Sequence, residues 1–129
     1  DCSLPEEDGL VLCAGGYEIQ DAYQAVVRRL RSPADFTALF SISDHMAIGA
    51  MRALQDGGLS VPDDCSVIAI DGLTVSNYIN PRLTTLCQPM EELGRRSVEM
   101  LLDLIHGRGG HRHETVATTL RRGESVRSL

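Results

Sequence analysis

The sequence lacks several features that would assign it to a familiar class of protein. No apolar run approaches the roughly 20 residues that a membrane-spanning helix needs, so we predict no membrane contact. Lysine is absent, and all 12 basic residues are arginines. The net charge of −6 predicts no nucleic-acid-binding surface on this chain.

The four cysteines form neither a C-x-x-C pair nor a spacing typical of metal ligands. We therefore predict no metal site, and we favour buried, inert thiols over a disulfide at Cys13, Cys65 and Cys87, which lie in apolar runs. This use of cysteine indicates a reducing, cytoplasmic compartment.

Motifs of catalysis are missing as well. The sequence has no G-x-S-x-G, no phosphate-binding loop and no Ser/His/Asp order that resembles a hydrolase. We predict that the chain is not an enzyme and holds no cofactor; an enzyme of doubly wound fold is the least favoured interpretation. No basic-then-apolar leader opens the chain, and its first residue is Asp1, so we expect a fragment or a processed piece.

What the sequence does contain is an alternation of strand-like and helix-like segments, in a chain of 129 residues that is long enough for one core. The pattern predicts strands over residues 10–13, 37–42, 66–70, 83–87 and 115–120. Helices are predicted over 21–31, between an N-cap at Ser43 and a stop at Gly57, and over 89–106. We therefore predict an α/β fold in three layers, with a parallel sheet and flanking helices.

Two of these apolar runs end in small or acidic residues, at Ser43-Asp44 and at Asp71-Gly72. In an open parallel sheet, ligands bind outside the carboxyl ends of the strands. The pattern therefore favours a receptor for a small molecule over a catalyst.

Three motifs resemble those of a known family. S-I-S-D-H-M-A-I-G-A-M-R-A-L, from Ser41, resembles A-N-D-x-M-A-x-G-A-x-R-A-L, and L-S-V-P-D-D-C-S-V-I-A-I-D, from Leu59, resembles L-x-V-P-x-D-v-S-V-x-G-F-D. L-T-T-L-C-Q-P, from Leu83, resembles L-T-T-V-x-Q-P. Together they are similar to the effector-binding core of the lactose-repressor (LacI/GalR) family of bacterial transcription regulators, over roughly residues 15–125. This core shares the type I fold of the periplasmic sugar-binding proteins.

The resemblance implies a partial core, divided into three segments. Residues 1–87 would form most of its C-terminal subdomain, residues 88–114 would return into the N-terminal subdomain, and residues 115–129 would supply the last strand and a tail in the C-terminal subdomain. The helix over 89–106 should then lack part of the sheet on which it packs. Operator DNA would be bound only through a helix-turn-helix that this chain does not contain.

The resemblance also implies five ligand-binding residues, and four of them have a simpler alternative role. Asp71 would accept hydrogen bonds from effector hydroxyls, or serve only as a turn residue. Ser43 would reach the effector, or cap a helix, and Asp44 would contact it or only stabilise the helix N-terminus. Tyr17 would stack on a sugar or base, or pack in the core. Gln88 would face the cleft between the subdomains.

A homodimer is implied too, paired through Ile48, Met51, Arg52, Tyr78 and Ile79. The alternative is that Met51 belongs to the core and Ile48 is a lone exposed residue. The function implied is cytoplasmic sensing of a sugar-like effector by a transcription regulator. A stand-alone or periplasmic sugar-binding protein of a transporter is the alternative.

Overall fold

The computed structural model describes residues 10–32, 35–108, 110 and 112–128. In chain order the elements are α1 (Ile19–Arg29), β1 (Ala38–Ser41), α2 (Asp44–Asp56), β2 (Ser66–Asp71), a 3₁₀ helix (Thr74–Asn77), β3 (Thr84–Cys87), α3 (Met90–Ile105) and β4 (Thr119–Arg121). None of the described helices is long and apolar enough to cross a membrane.

The four strands form one sheet in the order β1-β2-β3-β4. The first three are parallel, with Leu39 opposite Val67 and Ala69 opposite Thr85. This confirms the predicted α/β fold with a mostly parallel sheet. However, β4 is antiparallel to β3, with Thr119 opposite Cys87. The strand β4 therefore begins beside the carboxyl end of β3 and runs back along it.

Helix α2 has the boundaries and the buried face that its sequence predicts. Its inward face consists of Ala47, Ala50, Met51 and Leu54, each at most 3% exposed, which confirms the predicted apolar stripe. It contacts the strands β1 and β2 and the helix α1. At the crossing with α1, a β-carbon on Gly49 would collide with the carbonyl oxygen of Ile19, so only glycine allows this close approach.

Helix α1 begins two residues earlier than predicted. A capping box explains the shift: the Glu18 side chain accepts from the backbone of Asp21, and the backbone N–H of Glu18 donates to Asp21 Oδ2 at 3.1 Å. These reciprocal bonds satisfy backbone donors that a helix start leaves free.

The predicted strand over residues 10–13 is wrong. Residue 10 lies in a 3₁₀ turn and residues 11–14 have no regular structure. Instead of pairing with β1, this segment lies beside it and lines an apolar cavity of about 460 Å³ together with Phe36, Leu39 and Phe40. An apolar run of four residues indicates that the segment tends to be buried. It does not show whether the segment will pair with a strand.

The cysteines differ from one another in burial. Cys65 is fully buried, as predicted, and burial raises the pKa of its thiol to about 11. Cys13 is exposed because its segment is not a strand, so the prediction of a buried thiol is wrong there. Cys87, at the end of β3, is half-buried.

Helix α3 has the predicted amphipathic sequence, but none of its described side chains is buried. Met90, Val98, Leu101 and Ile105 are each more than half exposed. Charged side chains of α3 form ion pairs with one another, such as that of Arg95 with Glu92 at 2.6 Å. An uncovered apolar face agrees with the expectation that this helix packs on a sheet outside the chain, which stays a prediction. The last strand also begins later than predicted, at Thr119.

Candidate ligand-binding site

Polar groups that end or follow three neighbouring strands come together at the carboxyl edge of the sheet: two side chains and one backbone N–H. Asp71 is the last residue of β2, and Gln88 directly follows β3. The side-chain amide of Gln88 donates to Asp71 Oδ1 at 3.0 Å, and its backbone N–H donates to the carbonyl oxygen of Asp71 at 3.1 Å. From the side of β1, the backbone N–H of Asp44 donates to Asp71 Oδ2 at 3.4 Å. At this edge of the sheet, the Asp71 carboxylate therefore lies between the side-chain amide of Gln88 and the N-terminus of α2.

Asp71 also has an unusual backbone conformation. Its φ of 136° is the only positive value among the described non-glycine residues. Such a conformation costs on the order of 1–3 kcal/mol and persists only where the surroundings enforce it. Strained residues of this kind cluster at ligand-binding sites, so the conformation is consistent with a functional role for Asp71 as well as with a turn.

The next residue, Gly72, has a φ of 79°. A β-carbon there would lie 2.7 Å from the Cα of Cys87. Glycine is therefore required at this position because the turn passes against the backbone of β3.

Ser43 caps α2, as its position before the helix predicts. Its hydroxyl oxygen accepts from the backbone N–H of Met46 at 3.1 Å. The side chain is half-buried, and its hydroxyl hydrogen is not used by the cap. Capping and donation to a ligand are thus compatible, and the ligand contact stays a prediction.

Asp44 does not face the ligand edge, and the predicted contact through its carboxylate is wrong. The residue is 0% exposed. Its carboxylate accepts from the backbone N–H of Leu73 at 2.7 Å and from the hydroxyls of Ser76 at 2.9 Å and Thr85 at 2.5 Å. Because α2 begins at Asp44, the first turn directs this side chain into the protein rather than outward.

Arg121 completes this network, and the sequence reasoning missed it. Its Nη2 lies 3.8 Å from Asp44 Oδ2 and donates to the carbonyl oxygen of Leu73 at 2.9 Å, while its Nη1 donates to that of Gly72 at 3.3 Å. The sequence feature that indicates a buried polar network is the pair Thr84-Thr85 in an otherwise apolar strand. Hydroxyls in a buried strand need polar partners, and Thr85 has one in Asp44.

Tyr17 lies two residues before α1, with 74% of its surface exposed. The alternative role of packing in the core is therefore excluded. Tyr23, the second aromatic of this segment, is half-buried and donates its hydroxyl to Asp56 Oδ2 at 3.0 Å. None of the described hydrogen bonds joins Tyr17 to Asp71 or Gln88, so its stacking role stays a prediction.

Only some of the residues predicted to form a dimer interface are exposed. Met51 is 3% exposed and belongs to the core, so its assignment to a dimer interface is wrong. It lies on the same helical face as Ala47 and Leu54, and that face is turned inward. Ile48 is half-buried, and Ile79 packs against the core.

Arg52 and Tyr78, in contrast, are exposed. Tyr78 is exposed over 83% of its surface, and Arg52 forms an ion pair with Asp56 at 2.9 Å.

A family model described as a periplasmic binding protein-like domain matches residues 6–126. The chain belongs to this family. Its relatives also confirm the resemblance to LacI-type regulators. The HTH-type transcriptional regulator MalR of Clostridium butyricum is 40% identical over 113 residues, which cover 88% of this chain and 34% of that protein.

Solved structures of LacI-family regulators share this periplasmic binding protein-like fold. The regulator from Enterococcus faecium with bound ribose is 34% identical, with a TM-score of 0.70 and coverage of 85% of this chain and 41% of that one. The regulator from Arthrobacter sp. FB24 in complex with lactose is 30% identical, with a TM-score of 0.73 and coverage of 85% and 42%.

The chain spans about a third of the length of the curated relatives it matches. Those relatives are transcriptional regulators, which favours the regulator over the transporter protein and over an enzyme.

Proposed function

We propose that this chain senses a sugar or a related small molecule as part of a cytoplasmic, LacI-type transcription regulator. Asp71 is the residue that binds the ligand's hydroxyl groups. The observation that carries the proposal is the position of its carboxylate: half-exposed, at the carboxyl edge of a parallel sheet, and held by Gln88 and the N-terminus of α2.

The chemistry of the two side chains suits a polyhydroxylated ligand. A carboxylate offers about four lone-pair directions, and the hydrogen bonds from Gln88 and Asp44 use two of those of Asp71. The remaining directions can accept from neighbouring hydroxyls. Gln88 keeps its amide oxygen and a second N–H for the same ligand, so the pair can both accept and donate. Relatives solved with ribose and lactose support the choice of a sugar.

Regulation would follow from a difference in affinity between two conformations of the complete core. A ligand shifts such an equilibrium only as far as it binds one conformation more tightly than the other. In a full-length regulator, closure on the ligand at Asp71 would change the arrangement of DNA-binding elements outside this chain. The exposed apolar face of α3 supports this arrangement, because it leaves a surface for the rest of the core to cover.

We also propose that the regulator is a homodimer and that the surface around Arg52 and Tyr78 takes part in pairing. Both side chains are exposed, and Tyr78 presents a large amphipathic ring of the kind enriched at interfaces. Met51 supports that surface from the core without reaching the partner.

The test of the ligand site is a calorimetric titration of ribose and of lactose into the full-length protein, with Asp71→Asn and Asp63→Asn as variants. Asp63 is an exposed carboxylate in the turn before β2 and serves as the matched control. We expect Asp71→Asn to weaken binding by about 1.5–3 kcal/mol for each charge-assisted hydrogen bond lost. Asp63→Asn should bind as the unmodified protein does. Equal affinities for the unmodified protein and for Asp71→Asn would refute the assignment.

A further inference from the structure

The turn that follows Asp71 has a hydrogen-bond partner for each backbone group of its two residues. The N–H of Gly72 donates to the hydroxyl of Thr85 at 3.3 Å, and that hydroxyl lies 2.5 Å from Asp44 Oδ1. The N–H of Leu73 donates directly to Asp44 Oδ2. The two carbonyl oxygens accept from the guanidinium of Arg121. The turn is therefore held through its N–H groups by Asp44 and through its carbonyl groups by Arg121.

Asp44 has a third connection to the same turn, through its backbone. Its N–H, at the start of α2, donates to the carboxylate of Asp71. One residue thus fixes both the side chain of Asp71 and the backbone that follows it. This matters because the φ of 136° at Asp71 is a strained conformation, which reverts unless neighbouring groups hold it.

The cost of burying Asp44 indicates that the network is more than a by-product of packing. A buried carboxylate is destabilising unless hydrogen bonds and a counter-charge compensate for lost hydration. Asp44 has three donors, the favourable N-terminus of α2 and the nearby guanidinium of Arg121. All of these partners lie far from Asp44 in the sequence: Leu73 and Ser76 at the 3₁₀ helix, Thr85 in β3 and Arg121 in β4.

We propose that Asp44 is a positioning residue whose buried carboxylate holds the turn over residues 71–73 in the conformation that presents Asp71 to the ligand, with Arg121 as its counter-charge. The inference rests on the proposed ligand site at Asp71. It adds that the site depends on a residue the ligand does not touch. It also adds that β4, through Arg121, takes part in setting the geometry of the ligand edge.

The test compares Asp44→Asn with a control at an exposed ion pair. The control is Glu124→Gln, since Glu124 pairs with Arg82 at 2.8 Å and both side chains are more than half exposed. Hydrogen exchange of the Leu73 amide and the resonances of the Gln88 side-chain amide are measured by NMR in the protein without ligand. Neither signal depends on ligand identity, so failure of the sugar assignment would not affect this test.

We expect the Leu73 amide to exchange roughly ten- to a hundredfold faster in Asp44→Asn, because the side chain loses its charge and one of the two oxygens that accept from three donors. The Gln88 side-chain resonances should shift, since the Asp71 carboxylate moves. Glu124→Gln should change neither signal. A merely structural role would lower global stability while leaving the Gln88 resonances of the folded protein unchanged, and that result would overturn the proposal.

Two further variants decide the matter if Asp44→Asn does not fold. Thr85→Val keeps the shape of the side chain but removes the hydroxyl between Gly72 and Asp44. Arg121→Gln removes the counter-charge from a side chain that is 28% exposed. Both should accelerate exchange at Leu73 and shift the Gln88 resonances. Exchange at Leu73 no faster than in Glu124→Gln would overturn the proposal.

A ligand titration adds a second readout. If ribose or lactose binds the unmodified full-length protein, Asp44→Asn or Thr85→Val should weaken that binding about tenfold or more. If neither sugar binds, the proposed sugar class fails, whereas the NMR comparison still decides whether Asp44 positions Asp71.

Discussion

The side-chain amide of Gln88 donates to Asp71 Oδ1 at 3.0 Å and so joins the ends of two neighbouring strands into one polar surface. Each residue orients the other. The carboxylate fixes which way the amide points, and the amide leaves the carboxylate with lone pairs directed outward.

Replacing Gln88 by leucine should weaken sugar binding in the full-length protein roughly tenfold, since Asp71 loses an orienting donor and the ligand loses an amide. The measurement is isothermal calorimetry. Gln55→Leu is the matched control, because Gln55 is exposed and its amide bonds the carbonyl oxygen of Asn80 at 3.3 Å, away from the ligand edge. Similar losses in both variants would contradict a specific role for Gln88.

Gly49→Ala should destabilise the protein by about 1–3 kcal/mol, because the new methyl group forces α1 away from α2. Chemical denaturation measures the change. Gly94→Ala is the control: Gly94 lies in α3, and a β-carbon there meets no atom within 4 Å. That variant should be neutral or more stable by about 0.5–1 kcal/mol. Equal effects at the two sites would mean that the helices do not cross at Gly49.

Ser43→Ala should lower the free energy of unfolding by about 0.5–2 kcal/mol through loss of the N-cap of α2. Ser97→Ala serves for comparison, since the Ser97 hydroxyl only bonds the carbonyl oxygen of Leu93 on the exposed surface of α3. Its effect should stay within about 0.5 kcal/mol. A ligand role for Ser43 would appear separately, as weaker sugar binding in Ser43→Ala under conditions where the variant is fully folded.

Thiol labelling at different pH values should distinguish the cysteines. Burial raises the pKa of Cys65 from 9.0 to about 11, so the folded protein favours the protonated thiol. Stability from this group is complete below pH 9 and decreases as the pH rises towards 11, because the unfolded chain ionises first. Iodoacetamide should therefore modify exposed Cys13 well before Cys65, as read by mass spectrometry. Equal rates in the native protein would contradict the burial of Cys65.

Tyr78→Asp should weaken the dimer of the full-length protein, whereas the fold should persist because the ring is exposed. Met51→Asp should instead unfold the chain, since it would place a charge in the core. Analytical ultracentrifugation and circular dichroism separate the two outcomes. A folded, fully dimeric Tyr78→Asp protein would place the interface elsewhere.

The parts of the fold that were predictable from sequence have local signals. The cap at Ser43, the apolar stripe through Ala47 and Leu54, and the stop at Gly57 lie within one helix, and each was found. The apolar runs of β1, β2 and β3 are also local. The position of Asp71 at a strand end follows from the same runs, and Gln88 was placed by resemblance to the family motif.

The rest depends on partners that are distant in sequence. The sequence around Asp44 allows a ligand contact, because nothing near it shows that Ser76 and Thr85, 32 and 41 positions away, supply its hydrogen bonds. The sequence allows Met51 either in the core or at an interface, because the spacing of apolar residues does not show how much of the helix surface is buried. The direction of β4 depends on where the chain returns after α3.

The most direct test of a sugar site at Asp71 is a crystal structure of the full-length protein with a bound sugar, ribose or lactose being the first choices. We expect sugar hydroxyls to lie about 2.5–3.0 Å from the carboxylate oxygens of Asp71, with Gln88 still in contact with that carboxylate. A sugar bound elsewhere, without contact to the Asp71 carboxylate, would refute a ligand site at Asp71.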